Sequence, residues 1–224
     1  MGGYRYNSYS YDQQMAHIKA RGTGFSFGKW KHHCIMAFLF YAMYGNTNSQ
    51  EILGVGVAND VNRRPGSSVS LGMKDTISSV YDGSCVNFWG LEDWWGSFGE
   101  RIANVKMNNG GYTITEDDGT VRNIQGDSGQ GYTLKMHIGE HLDLVPTLFS
   151  GSATTGYCDN GTGKYTNRVL SRSGYSNDTS NGIARLDSDG TTTKYSYHSC
   201  RLAFRGTIIE ETDPAVFKSL TAIG

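Results

Sequence analysis

The most regular pattern of apolar and polar positions lies between residues 28 and 44. Apolar side chains recur there at spacings of three and four residues, which places them on one face of a helix. These residues are Trp30, Cys34, Ile35, Phe38, Leu39 and Ala42. Phe40, Tyr41 and Met43 make the remaining faces apolar too. The pattern predicts a helix that is covered on most sides, and Gly45 follows where a helix favours a left-handed residue to end it.

A different pattern opens the chain, where tyrosine alternates with other, mostly polar, residues from position 4 to position 11. Such alternation is typical of an edge strand or an extended arm. Residues 12–20 form a candidate short helix, and Gly22 and Gly24 mark its end. We therefore expect residues 1–25 to form an N-terminal arm and a short helix.

Short strand-like runs broken by turn residues dominate the second half of the chain. Residues 111–115 and 120–124 flank an Asp-Gly dipeptide, which predicts a β-hairpin. Residues 145–149 and 200–209 are further runs with strand character. Together the patterns predict an α+β fold, with one or two main helices, short antiparallel strands and extensive loops.

Between residues 157 and 198 the chain is rich in Ser, Thr, Asn, Asp, Gly and Tyr and poor in aliphatic residues. Because this stretch leads directly into a strand-like run, ordered loops on a scaffold are favoured over a disordered linker. Tyrosine supplies rigid contact area and the small polar residues supply adaptable hydrogen bonds, which is the mixture found in antibody combining loops. Residues 174–198 are therefore the candidate ligand-binding loops.

Within these loops the tyrosines are expected to act as anchors and the neighbouring polar groups to orient the ligand. The candidate residues are Tyr175, Asn177, Asp178, Tyr195, Tyr197 and His198. A solvated loop without a binding role is the alternative interpretation. The tyrosines favour the binding role, since plain linkers rarely retain large aromatic side chains.

Composition narrows the classes of partner. The 224 residues fit a single domain, residues 1–224, that is large enough to bury a substantial core. The formal net charge is -1 and 18% of the residues are charged, so the basic face of a nucleic-acid-binding protein is not expected. The sequence contains no run of about 18 apolar residues, so we expect no membrane insertion.

The four cysteines do not form the pattern of a metal site. Cys34, Cys85, Cys158 and Cys200 are widely scattered and include no CxxC pair, which argues against a zinc site. Ordinary buried thiols are therefore expected. A disulfide between Cys158 and Cys200 stays open as an alternative if the chain meets an oxidising medium.

Two other strings superficially resemble catalytic motifs. His137 and His141 flank Glu140, but zinc proteases require Glu directly after the first His, and Gly139 disfavours a helix here. The Gly-Asp-Ser-Gly string at residues 126–129 is one residue short of the nucleophile elbow of a serine hydrolase. We expect no catalytic residues, no metal site and no cofactor, while calcium binding stays open because only the EF-hand spacing is excluded.

Four blocks of the sequence resemble a family of phage and prophage tail-associated proteins from gut bacteria. The blocks are residues 16–25, 38–50, 87–96 and 200–206, and they follow the family's order along nearly the whole chain. The third block is the most specific, since an aromatic residue, Trp-Gly, an acidic residue and Trp-Trp-Gly rarely follow one another by chance. The domain of this family is related to the C-type lectin fold, in the branch that contains formylglycine-generating enzyme.

The resemblance implies a C-type lectin fold whose two termini lie close together and whose variable loops gather on one face. In some relatives that face binds the receptor, and in a subset a diversity-generating retroelement varies it. Catalysis of the formylglycine-generating type needs two cysteines close together near the end of the domain, and this chain offers Cys200 alone there. The resemblance therefore implies a binding domain without that activity.

The tryptophans of the third block allow two interpretations. Their aromatic faces suit stacking on pyranose rings, while packing of the core under a Gly-rich turn is the alternative. Because the resemblance places the block in the scaffold, we expect Trp89, Trp94 and Trp95 to pack the core. A surface position is left open for Trp95 and Phe98.

These expectations combine into one functional hypothesis. The chain is expected to be a non-enzymatic recognition module that binds a glycan or a protein on a bacterial host surface, as a phage tail receptor-binding or variable protein. Its partners would be that host ligand and other tail proteins, and it would reside in the virion tail or on the bacterial cell surface. A homo-oligomer is compatible with the sequence. A structural tail or appendage subunit that makes only assembly contacts is the main alternative, and an enzyme acting on surface glycans is the third.

Overall fold

The computed structural model describes residues 9–56, 76–80, 83–96, 98–174, 179–188 and 198–206, with the backbone alone for residues 76–80 and 83–85. The helices are α1 (Tyr11–Lys19), α2 (Trp30–Tyr44) and α3 (Ser49–Leu53). The strands are β1 (Phe25–Phe27), β2 (Thr76–Val80), β3 (Gly83–Phe88), β4 (Leu91–Glu92), β5 (Gly99–Asn108), β6 (Gly111–Thr115), β7 (Val121–Gln125), β8 (Gln130–Ile138), β9 (Leu144–Phe149), β10 (Asn160–Thr162), β11 (Arg168–Arg172), β12 (Leu186–Asp187), β13 (His198–Ser199) and β14 (Leu202–Phe204).

The two predicted helices are confirmed, and local signals explain their ends. Helix α1 begins at a capping box, in which Ser10 Oγ accepts a hydrogen bond from the backbone N–H of Gln13 and the Gln13 side chain accepts one from the N–H of Ser10. Helix α2 ends at Gly45, whose φ of 60° lies in the left-handed region. Tyr11 already belongs to α1, and residues 1–8 of the expected N-terminal arm lie outside the described residues.

The largest sheet in the described part of the chain has nine strands. Their order is β7-β6-β5-β11-β12-β10-β8-β9, and β13 lies beside β5. The predicted hairpin is confirmed as β6 and β7, which pair antiparallel, and the run at residues 145–149 is strand β9. Most neighbours are antiparallel, but β10 pairs with β12 and β13 pairs with β5 in parallel, which departs from the expectation of antiparallel strands. The architecture is mixed, with few helices and a large curled sheet, which agrees with the predicted α+β class.

Strand β1, which follows the first helix, and β14, the last described strand, form a separate two-stranded sheet. Strand β1 pairs antiparallel with β14, with Phe25 opposite Phe204 and their ring centroids 4.8 Å apart. Of the strand predicted at residues 200–209, the structure shows β14 at Leu202–Phe204. Residues 207–209 lie outside the described part.

Helix α2 forms the centre of the core, and its buried face matches the predicted one in part, since Trp30 and Cys34 are buried and Phe38 and Leu39 pack against the core. Ile35, which was assigned to the inner face, is 43% exposed. The buried residues of α2 are Trp30, His33, Cys34, Ala37 and Phe40. These positions also recur at spacings of three and four. Because α2 is apolar on most sides, periodicity alone did not fix the position of its buried face.

No helix in the described ranges is both long and apolar enough to cross a membrane.

Candidate functional site

The predicted ligand-binding residues fall into two groups. The five that lie outside the described residues are Tyr175, Asn177, Asp178, Tyr195 and Tyr197. The sixth, His198, opens β13 and is only 1% exposed. Its Nε2 atom lies 3.3 Å from Ser171 Oγ, in the interior. The structure therefore places His198 beneath the surface rather than in a position to orient a surface ligand.

The middle of the predicted loop segment belongs to the interior of the protein. Residues 181–188 are all buried, and β12 lies between β11 and β10 in the large sheet. Ile183 and Leu186 are part of the hydrophobic core. Residues 181–188 of the candidate ligand-binding loops at residues 174–198 therefore lie in the interior rather than at the surface. The candidate stretches 175–178 and 189–197 lie outside the described residues.

The carboxylate of Asp159 holds the interior part of this segment. It accepts hydrogen bonds from the backbone N–H of Ala184 at 2.8 Å and from Gln50 Nε2 at 2.7 Å. A Cβ atom on Gly182 would lie 2.3 Å from Asp159 Oδ1 and 2.3 Å from Ser49 Oγ, so glycine is required there. Burial raises the pKa of Asp159 to about 7. Residues 182–184 are thus clamped between Asp159 and the first turn of α3.

Asp187 and His198, on either side of residues 189–197, both lie against Ser171 in β11. Ser171 Oγ donates a hydrogen bond to the backbone carbonyl of Asp187 at 3.3 Å and lies against the ring of His198. The adjacent Ser188 donates from both its backbone N–H and its Oγ to the carbonyl of Thr162, at 3.2 Å and 2.8 Å. Asp187, Ser188 and His198 are therefore held against buried strands.

The described residues just before residues 175–178 are buried. Gly174 is buried, and a Cβ atom on it would lie 2.1 Å from Oδ1 of the fully buried Asn181. Ser173 Oγ accepts a hydrogen bond from the backbone N–H of Gly96 at 3.1 Å. That bond links Ser173 to the tryptophan block.

Two of the three tryptophans pack in the core as predicted. Trp94 is 6% exposed and Trp95 is fully buried. The ring of Trp95 meets Phe40 of α2 edge to face at 6.0 Å between centroids, and its Nε1–H donates to the carbonyl of Gly54 at 2.9 Å. Trp95 therefore has no surface role, and Phe98 is half-buried.

Trp89 is a correction to the expected core packing, since it is 45% exposed. It forms the two-residue turn between β3 and β4 together with Gly90, and their φ values are 53° and 76°. Two-residue hairpin turns of this kind need left-handed residues, so the turn carries the Trp89 side chain out of the core. A large side chain in the left-handed region is uncommon and points to a role beyond folding. In the sequence, the Trp-Gly pair between two short strand-like runs is the signal that could have indicated this turn.

The cysteines behave as isolated thiols. Cys34, Cys158 and Cys200 are free, so the alternative disulfide between Cys158 and Cys200 is not formed. Burial raises the pKa of both Cys34 and Cys200 to about 12, which keeps these thiols protonated at neutral pH. The side chain of Cys85 is outside the described part.

The motif-like strings have structural explanations. His137 lies in β8 and is followed by a turn in which the N–H of Gly139 donates to the carbonyl of Asp143, so the prediction that this segment is not helical is confirmed. In the Gly-Asp-Ser-Gly string, the carboxylate of Asp127 accepts from the N–H groups of Gly129 and Phe149 and so holds a turn. Among the residues that the structure describes, no three His, Cys, Asp or Glu side chains are grouped to hold a metal ion.

No protein-family model and no curated protein matches the chain. The resemblance to phage tail-associated proteins therefore rests on the four sequence blocks. What the geometry adds concerns the described residues that flank 175–178 and 189–197, and an exposed tryptophan at a hairpin turn. Hydrogen bonds hold these flanking residues, Ser173, Asp187, Ser188 and His198, in the interior.

Proposed function

We propose that this protein is a non-enzymatic recognition module of a phage tail, with a C-type lectin fold, that binds a glycan or a protein on the bacterial host surface. The observation that carries the proposal is that the described residues flanking 175–178 and 189–197 are held in the interior, with Ser173 bonded to Gly96 and with Asp187 and His198 against Ser171. A rigid scaffold that supports short, sequence-variable loops is the usual arrangement for binding, because the loops can change without loss of the fold. Five of the six candidate residues fall in these two stretches.

The pairing of β1 with β14 supports the C-type lectin part of the proposal. Domains of the resembling family bring their two termini together, and in this chain Phe25 and Phe204 lie opposite each other. The mixed architecture with few helices is compatible with that fold. A solved structure of the chain, compared strand by strand with members of the family, tests this part directly.

Trp89 adds a second candidate contact for a glycan. Its indole ring is exposed and stacks on Phe88, with 6.1 Å between the centroids and 25° between the planes. An exposed, supported aromatic face suits the apolar face of a pyranose ring. We therefore include Trp89 with the loop tyrosines in the proposed recognition surface.

A structural tail subunit is the second candidate function, and one observation favours it. Leu202 and Phe204 on β14 are 46% and 44% exposed, next to Phe25 of β1. Exposed apolar side chains that lie together suit a contact with another protein. On this alternative the chain would bind its neighbours in the tail and have no affinity for cells.

Retention on intact host cells distinguishes the two functions. Fluorescently labelled chain is incubated with host cells, and retained fluorescence is measured against protein concentration and against unlabelled competitor. We expect saturable retention that the competitor displaces and that Trp89→Asn weakens, while Trp89→Asn keeps the melting temperature of the parent. Absence of saturable retention, together with co-assembly with the other tail proteins, would establish the structural role instead.

A turnover assay tests the non-enzymatic part separately. Purified host polysaccharide is incubated with the chain, and the products are separated by size. We expect the polysaccharide to keep its size distribution. Release of fragments in proportion to protein concentration would show an enzyme.

A further inference from the structure

Strand β14 has one edge with which no other described strand pairs. Within the described part of the chain, β14 belongs to a two-stranded sheet, and β1 lies along one of its edges. An unpaired edge offers its backbone N–H and C=O groups to any further strand, so natural proteins usually cover or blunt such edges. The edge of β14 away from β1, called the open edge below, is therefore a candidate contact surface.

The hydrogen bonds between β1 and β14 show which backbone groups face the open edge. The N–H of Gly28 donates to the carbonyl of Arg201 at 3.0 Å, and the N–H of Arg205 donates to the carbonyl of Gly24 at 2.9 Å. In an antiparallel pair, residues that bond to the neighbouring strand alternate with residues that do not. Positions 201, 203 and 205 therefore direct their backbone groups at β1, and the positions between them direct theirs at the open edge.

The positions between them are Leu202 and Phe204, which are also exposed. Their side chains are 46% and 44% exposed. Because the two residues are two positions apart, both side chains lie on one face of the strand, opposite Phe27 and Phe25 of β1. Each residue thus presents unpaired backbone groups and an apolar side chain at the open edge.

A second copy of the chain fits the open edge in a self-complementary way. When two β14 strands pair antiparallel about a twofold axis at Ala203, Leu202 of each copy lies opposite Phe204 of the other. Both residues direct N–H and C=O at the open edge, so each of these symmetric pairs exchanges both of its hydrogen bonds. The two Ala203 residues form the pair without hydrogen bonds, where strands come closest and a small side chain fits.

The side chains favour the same register. In the combined sheet, one row of neighbours runs from Phe25 to Phe204 and on to Leu202 and Phe27 of the second copy. The twofold axis generates a second, identical row. Both rows contain only phenylalanine and leucine, and cross-strand pairs of large apolar residues stabilise a sheet. Pairing therefore covers the exposed side chains of Leu202 and Phe204.

The charged residues that flank β14 are compatible with this register. Arg201 of one copy lies opposite Arg205 of the other, and like charges in such a position repel when they are unpaired. Each is already paired within its own chain, Arg201 with Glu100 and Arg205 with Asp117. The two cations therefore enter the contact together with their counter-ions.

From the open edge, the exposed residues and the self-complementary register, we infer that a second copy of this chain pairs with β14, which gives a continuous sheet and a twofold dimer. The exposed parts of Leu202 and Phe204 are small beside the roughly 1,200 Å² that a stable interface buries, so the dissociation constant is on the order of 10–100 µM. The contact uses no residue of the proposed recognition surface, so it holds whether or not the chain binds a host. The protein contact suggested above by Leu202 and Phe204 is then a contact between two copies.

Sedimentation equilibrium at protein concentrations from about 1 to about 300 µM, on either side of that dissociation constant, tests the dimer. We expect a reversible equilibrium between monomer and dimer and no larger species, because a twofold contact occupies the open edge of both copies. A monomer at every concentration, or growth beyond the dimer, would overturn the inference.

Two matched lysine substitutions locate the contact. Leu202 and Leu148 are 46% and 36% exposed, and Leu148 lies on β9, at the other end of the large sheet from β7. Lysine on an edge strand opposes pairing with a further strand. Leu202→Lys should therefore raise the dissociation constant about tenfold or more, whereas Leu148→Lys should leave it unchanged. Equal dissociation constants for these two variants, at equal melting temperatures, would place the contact elsewhere on the protein.

A cysteine at position 203 tests the register without a change at the exposed residues. In a pair without hydrogen bonds the Cα atoms are about 4.5 Å apart, which is within the range that a disulfide spans. With oxidised glutathione, Ala203→Cys should form a covalent dimer about tenfold faster than Ala153→Cys, which makes the same change at an exposed alanine. The parent chain gives the background from the native cysteines. Covalent dimer that forms no faster in Ala203→Cys than in Ala153→Cys would contradict pairing about Ala203.

Discussion

Replacement of Trp95 by alanine is the most direct test of the assignment of the tryptophan block to the scaffold. The side chain of Trp95 is fully buried against Phe40, and its N–H satisfies the carbonyl of Gly54. Truncation of a large buried aromatic residue costs about 3–5 kcal/mol of unfolding free energy, because contacts are lost and a cavity remains. We expect Trp95→Ala to fall in that range, and the nearly buried Trp94→Ala likewise.

Two further variants separate the contributions to this loss. Trp95→Phe retains a buried ring and loses the hydrogen bond to Gly54, which should cost about 1–3 kcal/mol because a buried carbonyl is left without its donor. Trp89→Ala removes an exposed side chain from the same block and should cost no more than about 0.5 kcal/mol. The order of stabilities is therefore parent and Trp89→Ala first, then Trp95→Phe, then Trp95→Ala.

Urea unfolding monitored by far-ultraviolet circular dichroism gives the free energies without reliance on tryptophan fluorescence. The denaturant dependence should be the same for all variants, so that the differences in midpoint reflect stability alone. A Trp95→Ala variant as stable as the parent, or a Trp89→Ala variant as unstable as Trp95→Ala, would refute the assignment of Trp95 to the core and Trp89 to the surface.

Three other predictions concern the interior. The pKa of Asp159 is raised from 3.8 to about 7, so between these pH values the folded state retains a proton that the unfolded state releases, and stability falls as the pH rises. The pKa of His33 is lowered from 6.5 to about 3, so between these pH values the unfolded state binds a proton that the folded state does not, and stability falls as the pH falls. The two effects oppose each other between about pH 4 and pH 6.5. Across this range the pH dependence of the unfolding midpoint should therefore change in opposite directions in Asp159→Asn and His33→Phe relative to the parent. The same change in both variants would contradict both assignments. Gly182→Ala should lower the unfolding free energy by about 1–3 kcal/mol through the clash with Asp159 and Ser49, which unchanged denaturation curves would exclude. A chelator should leave the unfolding midpoint unchanged, and elemental analysis after gel filtration should find no stoichiometric zinc; about one zinc per chain would point to a metal site.

Elements with strong local signals were predictable from the sequence. The capping residues of α1, the left-handed Gly45 after α2 and the Asp-Gly turn between β6 and β7 act within a few residues of each other. Signals of this kind need no knowledge of the rest of the fold. The corresponding helices and hairpin are placed within two residues of their predicted bounds.

Features that depend on distant partners were not predictable. Strand β5 is the longest in the described part, yet it carries Glu100 and Arg101, which are accommodated by Arg172 and Gln14 from other elements. Residues 181–188 look like a surface loop in composition and are buried, because Asp159 and Ser49 supply their hydrogen bonds. In both cases the partners that make burial of polar groups acceptable lie far away in the sequence.

The candidate site divides in the same way. Trp89 was misassigned because a hairpin turn, and not hydrophobicity, decides where its side chain lies. His198 was grouped with the loop residues because it adjoins them in the sequence, whereas strand pairing with β5 places it inside. The mixture of tyrosine and small polar residues in the flanking stretches is a signal of composition, which predicts a recognition role but no geometry.

The central claim is that residues 175–178 and 189–197 recognise the host. The most direct test measures cell attachment by a variant in which Tyr175, Tyr195 and Tyr197 are replaced by serine. The control is Tyr165→Ser, which makes the same change at a half-buried tyrosine of the connection before β11. The triple variant should melt within about 2 °C of the parent, because surface substitutions usually change stability little. It should lose attachment to host cells, because binding energy concentrates in a few aromatic anchors. Tyr165→Ser should still attach. Full attachment by the triple variant, or single variants that melt several degrees lower and still attach, would show that these tyrosines belong to the scaffold and that the binding surface lies elsewhere.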